Sequence, residues 1–399
     1  MILQTIAFFN WQYPYGGGEI VTHNLASFFR SRNFRVILYT GKVADELLTD
    51  EDRALFEFRI LPDGTNPALP ENSNFICKSL EQEQVDCIIV QGVNSFPFAK
   101  VRSQTRCRTV FCLHNMPFWE VQAIRHRKVS ELAHPTLGRK LEFLLLRKPL
   151  DNLTNRQYRR TCRYYARMLP DIDRLVLLCP EYKQDLERAL RTSRFGTEFP
   201  PEKFEAILNP LLPVAPSETN SPKEKVVLYV GRLVNTHKRV DRLLKIWHNI
   251  ESRNPDWRLI IVGTGEEEEN LKHTADRLHL KNVEFAGYQT DMRPFYRRAS
   301  FICLTSNFEG LPMSLMEGQQ YGVIPVSFDS YAGIREITSN GKCGIMVPAF
   351  NLRKYTSILN SALADIELQK SLRTLSLEVS RKYELENIGN QWLRLFEKM

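Results

Sequence analysis

The feature that most limits the fold of this 399-residue chain is an alternation of short apolar runs with longer amphipathic stretches. The apolar runs predict buried strands, and the stretches between them have helical spacing. Such alternation predicts βαβ units and mainly parallel sheets, so the predicted fold class is α/β. The predicted strands are Ile2–Phe9, Arg35–Tyr39, Phe56–Leu61, Cys87–Gln91, Thr109–Leu113 and Leu175–Leu178, and then Val226–Val230, Arg258–Val262, Val283–Phe285, Phe301–Leu304 and Ile324–Val326.

A stretch rich in proline divides the chain into two parts of similar length. Residues 209–223 contain four prolines and almost no helical or strand pattern, which is typical of a linker. We therefore predict an N-terminal α/β domain over residues 1–208 and a C-terminal one over 224–381. Open parallel sheets bind ligands beyond the carboxyl ends of their strands, so functional residues are expected directly after strands, in a cleft between the domains.

The positive charge of the chain is concentrated in one segment. Lys and Arg number 54 against 46 Asp and Glu, and the window Glu120–Arg167 holds 12 basic and 4 acidic residues, which accounts for the whole net charge of +8. This distribution predicts one basic surface element, and it disfavours the general basicity of a nucleic-acid-binding protein. We call residues 119–168 the basic segment.

Two interpretations of the basic segment remain open. Apolar and basic residues are interleaved at helical spacing in Leu141–Lys148 and Arg156–Arg167, as in a helix that lies on an anionic membrane surface. The same pattern would fit helices that pack on the core and expose their arginines to solvent.

The location of the protein is predicted from features that the sequence lacks. The first residues have no basic start and no small-residue cleavage site, and no stretch approaches the roughly 20 apolar residues that cross a bilayer. The eight cysteines form no CxxC pair and mostly lie in apolar runs, so we interpret them as reduced core residues. We expect a cytoplasmic protein that is soluble or peripheral on the cytoplasmic face of the membrane.

Basic side chains follow the first predicted strand of the C-terminal half. Arg232 comes two residues after Val226–Val230, and Lys238 opens the next helical pattern. Both side chains can point at an anion at the sheet edge, although a solvated basic loop would have the same sequence. Gly263 and Gly265 follow the next strand, but a lone GxG indicates little, and the four glutamates after it disfavour a phosphate site there.

The strongest local signal is the segment Ser306–Glu317, directly after the predicted strand Phe301–Leu304. Pro312 stands where the first position of a helix is expected, and the amides of that first turn could cradle a diphosphate. Glu309 and Glu317 place carboxylates at two depths, which suits a ligand with two polyol parts. Glu309 could instead be a capping carboxylate, and Glu317 could instead be an exposed helix residue. The residues of the intervening turn are Gly310, Leu311, Pro312 and Met313.

Two groups of residues follow predicted strands in the N-terminal half. Residues 10–15 are predicted as a loop, and Gly16–Gly18 open an amphipathic helix where backbone can approach a ligand closely. His114 and Asn115 follow Thr109–Leu113, and a histidine at this position can form a hydrogen bond with a sugar hydroxyl. Glycine turns without a ligand and histidines bonded to a loop are the open alternatives.

No metal-binding motif is convincing. Asp50-Glu51-Asp52 and Asp171-Ile172-Asp173 match the DxD pattern formally, but the first lies in an acidic, helix-like patch and the second lies just before a strand. We interpret both as surface charge. Basic side chains and helix amides can neutralise a diphosphate, so no metal and no other cofactor is predicted.

The residues of the C-terminal half resemble a known enzyme family. Their spacing is similar to the E-x7-E pattern of the retaining GT-B glycosyltransferases of family four, closely over about 225–350 and more loosely over the first 40 residues. The resemblance implies two Rossmann-like domains that face each other across a cleft, with a nucleotide sugar on the C-terminal one. It also implies a last helix, over 382–399, that crosses back to the N-terminal domain. The resembling residues are Arg232, Lys238, Gly263, Gly265, Glu309, Gly310, Leu311, Pro312 and Glu317.

The resemblance also implies a role for each residue. Arg232 and Lys238 would bind the donor diphosphate, Glu309 the donor sugar and Glu317 the ribose. The implied catalytic residues are Glu309, His114, Arg232 and Lys238. The implied donor-binding residues are Gly17, Gly18, Arg232, Lys238, Gly263, Gly265, Tyr288, Glu309, Gly310, Leu311, Pro312, Met313 and Glu317. The implied acceptor-binding residues are Gly16, Gly17 and Asn115. One departure from the family pattern is Arg239, which stands where a glycine is usual.

We therefore expect an enzyme that moves a sugar from a nucleotide-diphosphate sugar, most simply a UDP-sugar, to a glycan or lipid-linked acceptor in cell-surface polysaccharide biosynthesis. The resemblance implies retention of the anomeric configuration. A nucleotide-sugar epimerase and a non-catalytic nucleotide-sugar-binding protein remain open on the same fold. Nucleic acid is not an expected partner, because the excess of basic over acidic residues is confined to one segment.

Overall fold

The chain forms two units in the computed structural model, which describes residues 3–14, 16–126, 136–147, 149, 154–193, 199–219 and 221–399. The first unit contains Met1–Pro117, Arg159–Leu212 and Tyr383–Met399, and the second contains Phe118–Tyr158 and Pro213–Lys382. The chain thus passes from one unit to the other inside the predicted linker. Residues 118–158 group with the second unit, whereas the sequence prediction assigns them to the first domain.

The first unit is built on a parallel sheet, in which the described residues supply seven strands. Along the chain they are β1 (Thr5–Tyr13), β2 (Arg35–Val43), β3 (Glu57–Ile60), β4 (Cys87–Gln91), β5 (Arg108–Leu113), β6 (Arg174–Leu177) and β7 (Phe204–Ala206). Their order in the sheet is β3-β2-β1-β4-β5-β6-β7. The central strand β4 is buried along its whole length, as expected for a parallel sheet covered by helices on both faces.

Helices alternate with these strands. They are α1 (Gly17–Ser31), α2 (Asp50–Leu55), α3 (Pro70–Gln82), α4 (Phe98–Gln104), α5 (Trp119–His126), α6 (Leu137–Glu142), α7 (Arg156–Met168) and α8 (Pro180–Thr192). A π-helical turn, Phe143–Arg147, follows α6, and 3₁₀ turns span Asp45–Leu47, Leu169–Asp171 and Pro201–Lys203. Of these elements, α5, α6 and the π-helical turn lie within Phe118–Tyr158 and so group with the second unit. α1 buries Val21, Leu25 and Phe28, whose spacing is that of one helix face.

The second unit repeats this architecture with six parallel strands in its described part. These are β8 (Val226–Val230), β9 (Arg258–Val262), β10 (Val283–Gly287), β11 (Phe301–Leu304), β12 (Ile324–Asp329) and β13 (Ile345–Pro348). They lie in the order β10-β9-β8-β11-β12-β13. The helices of this unit are α9 (Pro216–Thr219), α10 (Val240–His248), α11 (Glu268–Arg277), α12 (Arg293–Arg298), α13 (Met313–Gln320), α14 (Ala332–Ile337), α15 (Leu352–Ala364) and α16 (Ile366–Ser380), with 3₁₀ turns at Glu251–Arg253 and Arg381–Tyr383.

The last helix, α17 (Leu385–Glu397), belongs to the first unit, as the sequence prediction has it. It packs on α1, where Gly389 lies directly against the ring of Phe28. The rings of Phe29 and Phe396 lie 5.6 Å apart in the same contact. A strand-like pairing of Leu211 with Glu384 holds the chain just before this helix.

The predicted α/β fold class is confirmed, and the differences concern strand ends. β1 runs to Tyr13, so most of the predicted loop at residues 10–15 is strand, and Asn10 pairs with Thr40 of β2. β7 and β13 were not predicted, because they have only three and four residues, β7 contains Glu205 and β13 ends at Pro348. All eight cysteines are buried and free, in agreement with the prediction.

Candidate functional site

The loops after two neighbouring strands, β8 and β11, hold the centre of the candidate site. The backbone N–H of Asn307 donates to the carbonyl of His237 at 2.7 Å, and its side-chain amide donates to the carbonyl of Thr236 at 2.9 Å. Next to these contacts, Nζ of Lys238 lies 2.8 Å from Oε1 of Glu309. The two loops therefore run side by side for three residues and bring together the lysine and the glutamate that the sequence predicts.

Glu309 lies in an enclosed and positively charged environment. Its side chain is 11% exposed and that of Lys238 is 14% exposed, while Ser306 Oγ donates to Oε1 of Glu309 at 2.7 Å. Burial would raise the pKa of Glu309, but Lys238, His237 and the Ser306 hydroxyl outweigh burial and hold the pKa below its ordinary value. Glu309 is thus an ionised carboxylate at neutral pH. The sequence predicts separate roles for Glu309 and Lys238, and the structure pairs them.

The helix α13 begins four residues after Glu309. Pro312 is its N-cap residue, with φ −65° and ψ 109°, so the predicted helix start at Pro312 is one residue too early. The turn of residues 310–312 is buried. The amide of Leu315 already donates to the carbonyl of Pro312 at 3.1 Å, so the amides of Met313 and Ser314 are the ones left for a ligand, and the helix dipole adds partial positive charge there. This helix end can therefore bind an anion beside the Lys238–Glu309 pair.

Glu317 lies deeper in α13 and has a partner that the sequence analysis missed. The hydroxyl of Tyr296, on α12, donates to Oε2 of Glu317 at 2.6 Å, and the ring of Tyr296 stacks on Tyr321 at 5.7 Å. Burial raises the pKa of Glu317, and the hydrogen bond from Tyr296 offsets part of this shift. The two predicted carboxylates thus have opposite pKa shifts. Nothing in the sequence pattern marks Tyr296, because it lies before β11 and 21 residues from Glu317.

Arg232 is exposed on the loop after β8. The backbone holds this loop against the loop after β9, because Gly231 N–H donates to Val262 O at 3.0 Å and Leu233 N–H donates to Thr264 O at 2.9 Å. The position of Arg232 is therefore set by main-chain contacts on both sides of it.

Gly263 and Gly265 allow this close approach of the two loops. A Cβ at Gly263 would lie 2.2 Å from the carbonyl oxygen of Gly231, and one at Gly265 would lie 2.4 Å from that of Leu233. The structure thus gives these glycines a packing function. Their donor contacts stay predictions, as does that of Tyr288, whose side chain is 66% exposed.

The predicted glycines of the first unit lie where β1 passes into α1. Gly16 has φ +96°, a conformation that favours glycine, and α1 begins at Gly17. Asn10 is fully buried under this turn and accepts a hydrogen bond from Thr22 at 2.8 Å, while its amide lies 3.4 Å from Glu19. Asn10 was missed because its stretch is predicted as a loop.

His114 follows β5 and contacts the same turn. A Cβ on Gly18 would lie 3.7 Å from Cδ2 of His114, so the imidazole lies against the helix start. Its Nε2 is hydrogen-bonded to the side-chain carbonyl oxygen, Oε1, of the buried Gln91. Burial lowers the pKa of His114 to about 4, so the ring is neutral at pH 7. Asn115, by contrast, turns its Oδ1 to the next backbone amide, that of Met116, at 2.8 Å.

The interpretation of the two DxD matches as surface charge is confirmed for Asp50, which is exposed, and is wrong for Asp52 and Asp173. Asp52 is buried, caps α2 with Thr49, and accepts from the hydroxyl of Tyr13 at 2.6 Å. Asp173 accepts from the backbone N–H of Thr109 at 2.8 Å and pairs with Arg102. Both carboxylates therefore stabilise local structure through hydrogen bonds and, for Asp173, an ion pair. Within the described ranges, no group of three or more His, Cys, Asp or Glu side chains could hold a metal ion.

The basic segment is helical in its described part, which includes α5, α6, the π-helical turn and α7. Leu145 and Leu146 on the π-helical turn are 68% and 57% exposed. Residues 127–135, 148 and 150–153 of this segment lie outside the described residues. Among the helices that the structure describes, none is long and apolar enough to span a bilayer.

Two family models match almost the whole chain. The one described as "Glycosyltransferase Family 4" matches residues 15–210, and the one described as "Glycosyl transferases group 1" matches residues 215–375. The boundary between them coincides with the predicted linker and with the passage between the two units.

Individual relatives match over part of their length. An uncharacterized glycosyltransferase of Haemophilus influenzae is 32% identical over 48% of this chain and 56% of its own, and the amylovoran biosynthesis glycosyltransferase AmsD of Erwinia amylovora is 33% identical over 43% and 47%. The chain thus spans about half the length of these relatives. The crystal structure of Anabaena HepE with UDP and glucose is similar in fold, with a TM-score of 0.72 and 15% identity over 99% of this chain and 100% of that one.

Proposed function

Because this chain belongs to the family 4 glycosyltransferases and has their GT-B fold of two Rossmann-like domains, we propose that it transfers a sugar from a nucleotide-diphosphate sugar to a glycan or lipid-linked acceptor. The observation that carries this proposal is the pairing of the loops after β8 and β11, which joins Lys238 to Glu309 beside the start of α13. That arrangement places a cation next to an ionised carboxylate, which itself lies four residues before a helix N-terminus.

The cationic part of this arrangement suits a diphosphate. We propose that Lys238 and Arg232 bind the donor phosphates together with the first-turn amides of α13. Lys238 would then exchange part of its contact with Glu309 for phosphate oxygens. Charge develops on the diphosphate as it leaves, and donors that are already in place stabilise it without reorganisation.

The carboxylates suit the sugar and the nucleoside. We propose that Glu309 binds hydroxyls of the donor sugar and that Glu317, oriented by Tyr296, binds the ribose. An ionised carboxylate beside the anomeric centre also stabilises the positive charge that develops there. In the first unit, the neutral His114 would hydrogen-bond the donor sugar, and Gly16, Gly17 and Asn115 are proposed for the acceptor side.

We propose that the anomeric configuration is retained through substitution on one face of the donor sugar. The bond from the anomeric carbon to the diphosphate oxygen breaks, and the bond to the acceptor oxygen forms on the same side. The acceptor hydroxyl gives its proton to the leaving diphosphate oxygen, so no protein base and no metal are needed for this step.

The donor class and the context are proposed from the relatives. HepE was crystallised with UDP and glucose, which supports a UDP-sugar as the donor. AmsD is described as an enzyme of amylovoran biosynthesis, which supports a role in cell-surface polysaccharide assembly. The exposed Leu145 and Leu146 within a segment of net positive charge support peripheral contact with an anionic membrane, where a lipid-linked acceptor would lie.

A thermal-shift experiment with UDP, GDP and ADP tests the donor site. A ligand present at 100 times its dissociation constant stabilises the folded state by about 2.7 kcal/mol. We expect stabilisation by UDP, and its loss in Lys238→Ala but not in Lys245→Ala, an exposed lysine on α10. If no nucleotide shifts the melting temperature, the proposed donor site is wrong.

A product analysis tests the reaction. Purified protein, UDP-sugars and a glycan acceptor should give a product whose anomeric proton in NMR has the configuration of the donor. Conversion of the UDP-sugar to an isomer without acceptor would indicate an epimerase instead. Binding of UDP without turnover of any donor would indicate a nucleotide-sugar-binding protein.

A further inference from the structure

Phe350, just after β13, combines two unusual properties. Its φ is +60°, in the left-handed region that favours glycine and that a bulky side chain adopts only at a cost. Its side chain is also 38% exposed. A glycine at this position would avoid both the backbone strain and the exposed apolar ring. Strain of this kind is concentrated at ligand-binding and catalytic positions.

Neighbouring side chains hold the Phe350 ring in one orientation. The guanidinium carbon of Arg242 lies 5.0 Å from the centre of the ring, and the ring of Phe328 packs edge-on at 5.8 Å. Arg242 is itself fixed, because its guanidinium donates to the carbonyl of Thr305 at 3.1 Å. The ring of His126, at the end of α5, meets Phe350 edge-on at 5.6 Å.

The same histidine connects this ring with the proposed donor site. The imidazole of His126 also lies 6.4 Å from the ring of Phe308, at an angle of 32°. Phe308 directly precedes Glu309, and on its other side it contacts the ring of His237 at 5.9 Å. Phe350 is therefore two ring contacts away from the loop that carries Glu309.

We propose that Phe350 and His126 form a stacking surface for a sugar ring of the acceptor, which makes them specificity-determining residues. One face of a pyranose ring is a patch of C–H groups, and such a patch packs on the flat, electron-rich face of an aromatic side chain. The guanidinium of Arg242 lies over one face of the Phe350 ring, so the exposed remainder of the ring would receive the sugar, two ring contacts from the loop that would hold the donor sugar. The inference rests on the proposed function, because it assigns the acceptor of that same reaction.

Saturation-transfer NMR with the methyl α-glycosides of glucose, galactose and N-acetylglucosamine tests this surface on the full chain saturated with UDP. At least one glycoside should receive saturation from the wild-type protein, strongest on the C–H face of its ring. In Phe350→Gly the binding should weaken by about tenfold, the loss expected for one aromatic contact. Thermal unfolding should show that Phe350→Gly is folded at the temperature of the NMR experiment, because glycine suits the +60° φ and so offsets part of the packing that is lost with the ring.

Further variants separate the possible outcomes. Phe350→Leu keeps an apolar side chain of similar packing but lacks the flat face, so it should also lose the signal. Ile366→Ala, which removes an exposed aliphatic side chain on α16, should keep it. Glu309→Gln should keep it too, whereas its loss there would place the glycoside in the donor-sugar site and overturn the proposal.

The two proposals fail in different ways. Unchanged glycoside binding in both Phe350 variants overturns the stacking surface while UDP binding stands. If the wild-type protein binds UDP but gives no signal with any glycoside, the stacking surface is overturned and the donor site stands. A protein that binds the glycosides through Phe350 but no nucleotide would overturn the proposed donor site alone.

Discussion

Individual side chains of the candidate site are held by one another before any ligand arrives. Lys238 and Glu309 satisfy each other's charge at 2.8 Å, and Ser306 supplies a further hydrogen bond. This arrangement keeps two charges in a largely enclosed place, where an unpaired charge is costly. The phosphates of a donor can replace Glu309 as the partner of Lys238, and the hydroxyls of its sugar can replace Lys238 as the partner of Glu309. In the absence of ligand, the pair therefore occupies the contacts that the proposed donor would make.

Replacing Lys238 by alanine should destabilise the protein as well as abolish UDP binding. The change leaves the carboxylate of Glu309 without its counter-charge, and we expect the free energy of unfolding at neutral pH to fall by about 2 kcal/mol. The double variant Lys238→Ala, Glu309→Gln should recover most of this loss and still fail to bind UDP. Urea denaturation of the three proteins measures the effect. Equal stability of the single variant and the wild type would mean that the pair is not coupled.

Glu317→Gln should change how the stability of the protein depends on pH, and this effect can be measured independently of nucleotide binding. The pKa of Glu317 is raised in the folded protein, so its carboxyl group contributes stability below the unfolded pKa and loses it as pH rises through the folded pKa. Glutamine cannot ionise and still accepts from Tyr296. The melting temperature of Glu317→Gln relative to the wild type should therefore be higher near pH 7 than near pH 4.

The control for this experiment is Tyr296→Phe, which removes the hydrogen bond and leaves the carboxyl group. It should lower the melting temperature near pH 7. We also expect UDP to bind Glu317→Gln more weakly than the wild type. A difference in melting temperature that stays constant with pH would contradict the assigned protonation behaviour of Glu317.

Much of the site could be predicted from the sequence, because its residues follow strands at fixed spacing. Glu309 and Glu317 lie on one short segment, and local rules for helix starts are sufficient to place them. The partners could not be predicted. Tyr296 and Gln91 are ordinary residues of other elements, and only the folded chain brings them to Glu317 and His114.

At the level of helices and strands, the close contact of α17 with α1 depends on one small residue. A Cβ at Gly389 would lie 2.5 Å from atoms of the Phe28 ring, a distance that real Cβ atoms do not show. The predicted last helix is confirmed, but its dependence on a glycine could not be foreseen, because a glycine inside a helix usually indicates only low helix propensity.

Gly389→Ala should therefore destabilise the protein although alanine is the better helix former. Overpacking against Phe28 should cost about 2 kcal/mol and exceed the gain in helix propensity. The matched control is Arg394→Ala, an exposed change in the same helix. Thermal unfolding of both variants measures the difference. A Gly389→Ala protein as stable as the control would mean that the ring of Phe28 can move aside.

Strand prediction was most accurate in the interior of both sheets, and of the four edge strands it found β3 and β10 but not β7 and β13. The bounds of β4, β8, β9 and β11 agree with the prediction to the residue. These strands lie inside a sheet with helices on both faces, so their apolar runs are continuous. β7 and β13 are terminal strands of their sheets, and at three and four residues they are too short to give a clear strand pattern in the sequence.

For the molecule as a whole, the uneven distribution of charge predicts binding to membranes that contain anionic lipid. The net charge of +8 arises in the basic segment, which also exposes Leu145 and Leu146. We expect co-sedimentation with vesicles that contain anionic lipid, and a steep decrease between about 50 mM and about 500 mM salt, as the Debye length shortens.

Replacing Leu145 and Leu146 together by serine should weaken this binding by about tenfold or more, since each leucine would lose its burial in the lipid interface. Ile366→Ser, an equally exposed change on α16, should have no effect. Equal sedimentation of the double variant and the wild type, or binding that does not respond to salt, would contradict a membrane contact through this segment.

The division of the chain between the two units has a consequence for synthesis on the ribosome. The first unit contains both the earliest residues and Tyr383–Met399, whereas the second unit lies between them. Domains usually fold in the order in which they emerge. Here the first unit begins to emerge before the second unit and is completed after it, so the apolar face of α1 around Phe28 and Phe29 lacks its α17 contact until residues 383–399 have been synthesised. A nascent chain arrested before residue 383 should therefore expose this face and recruit chaperones, even when its second unit is already folded.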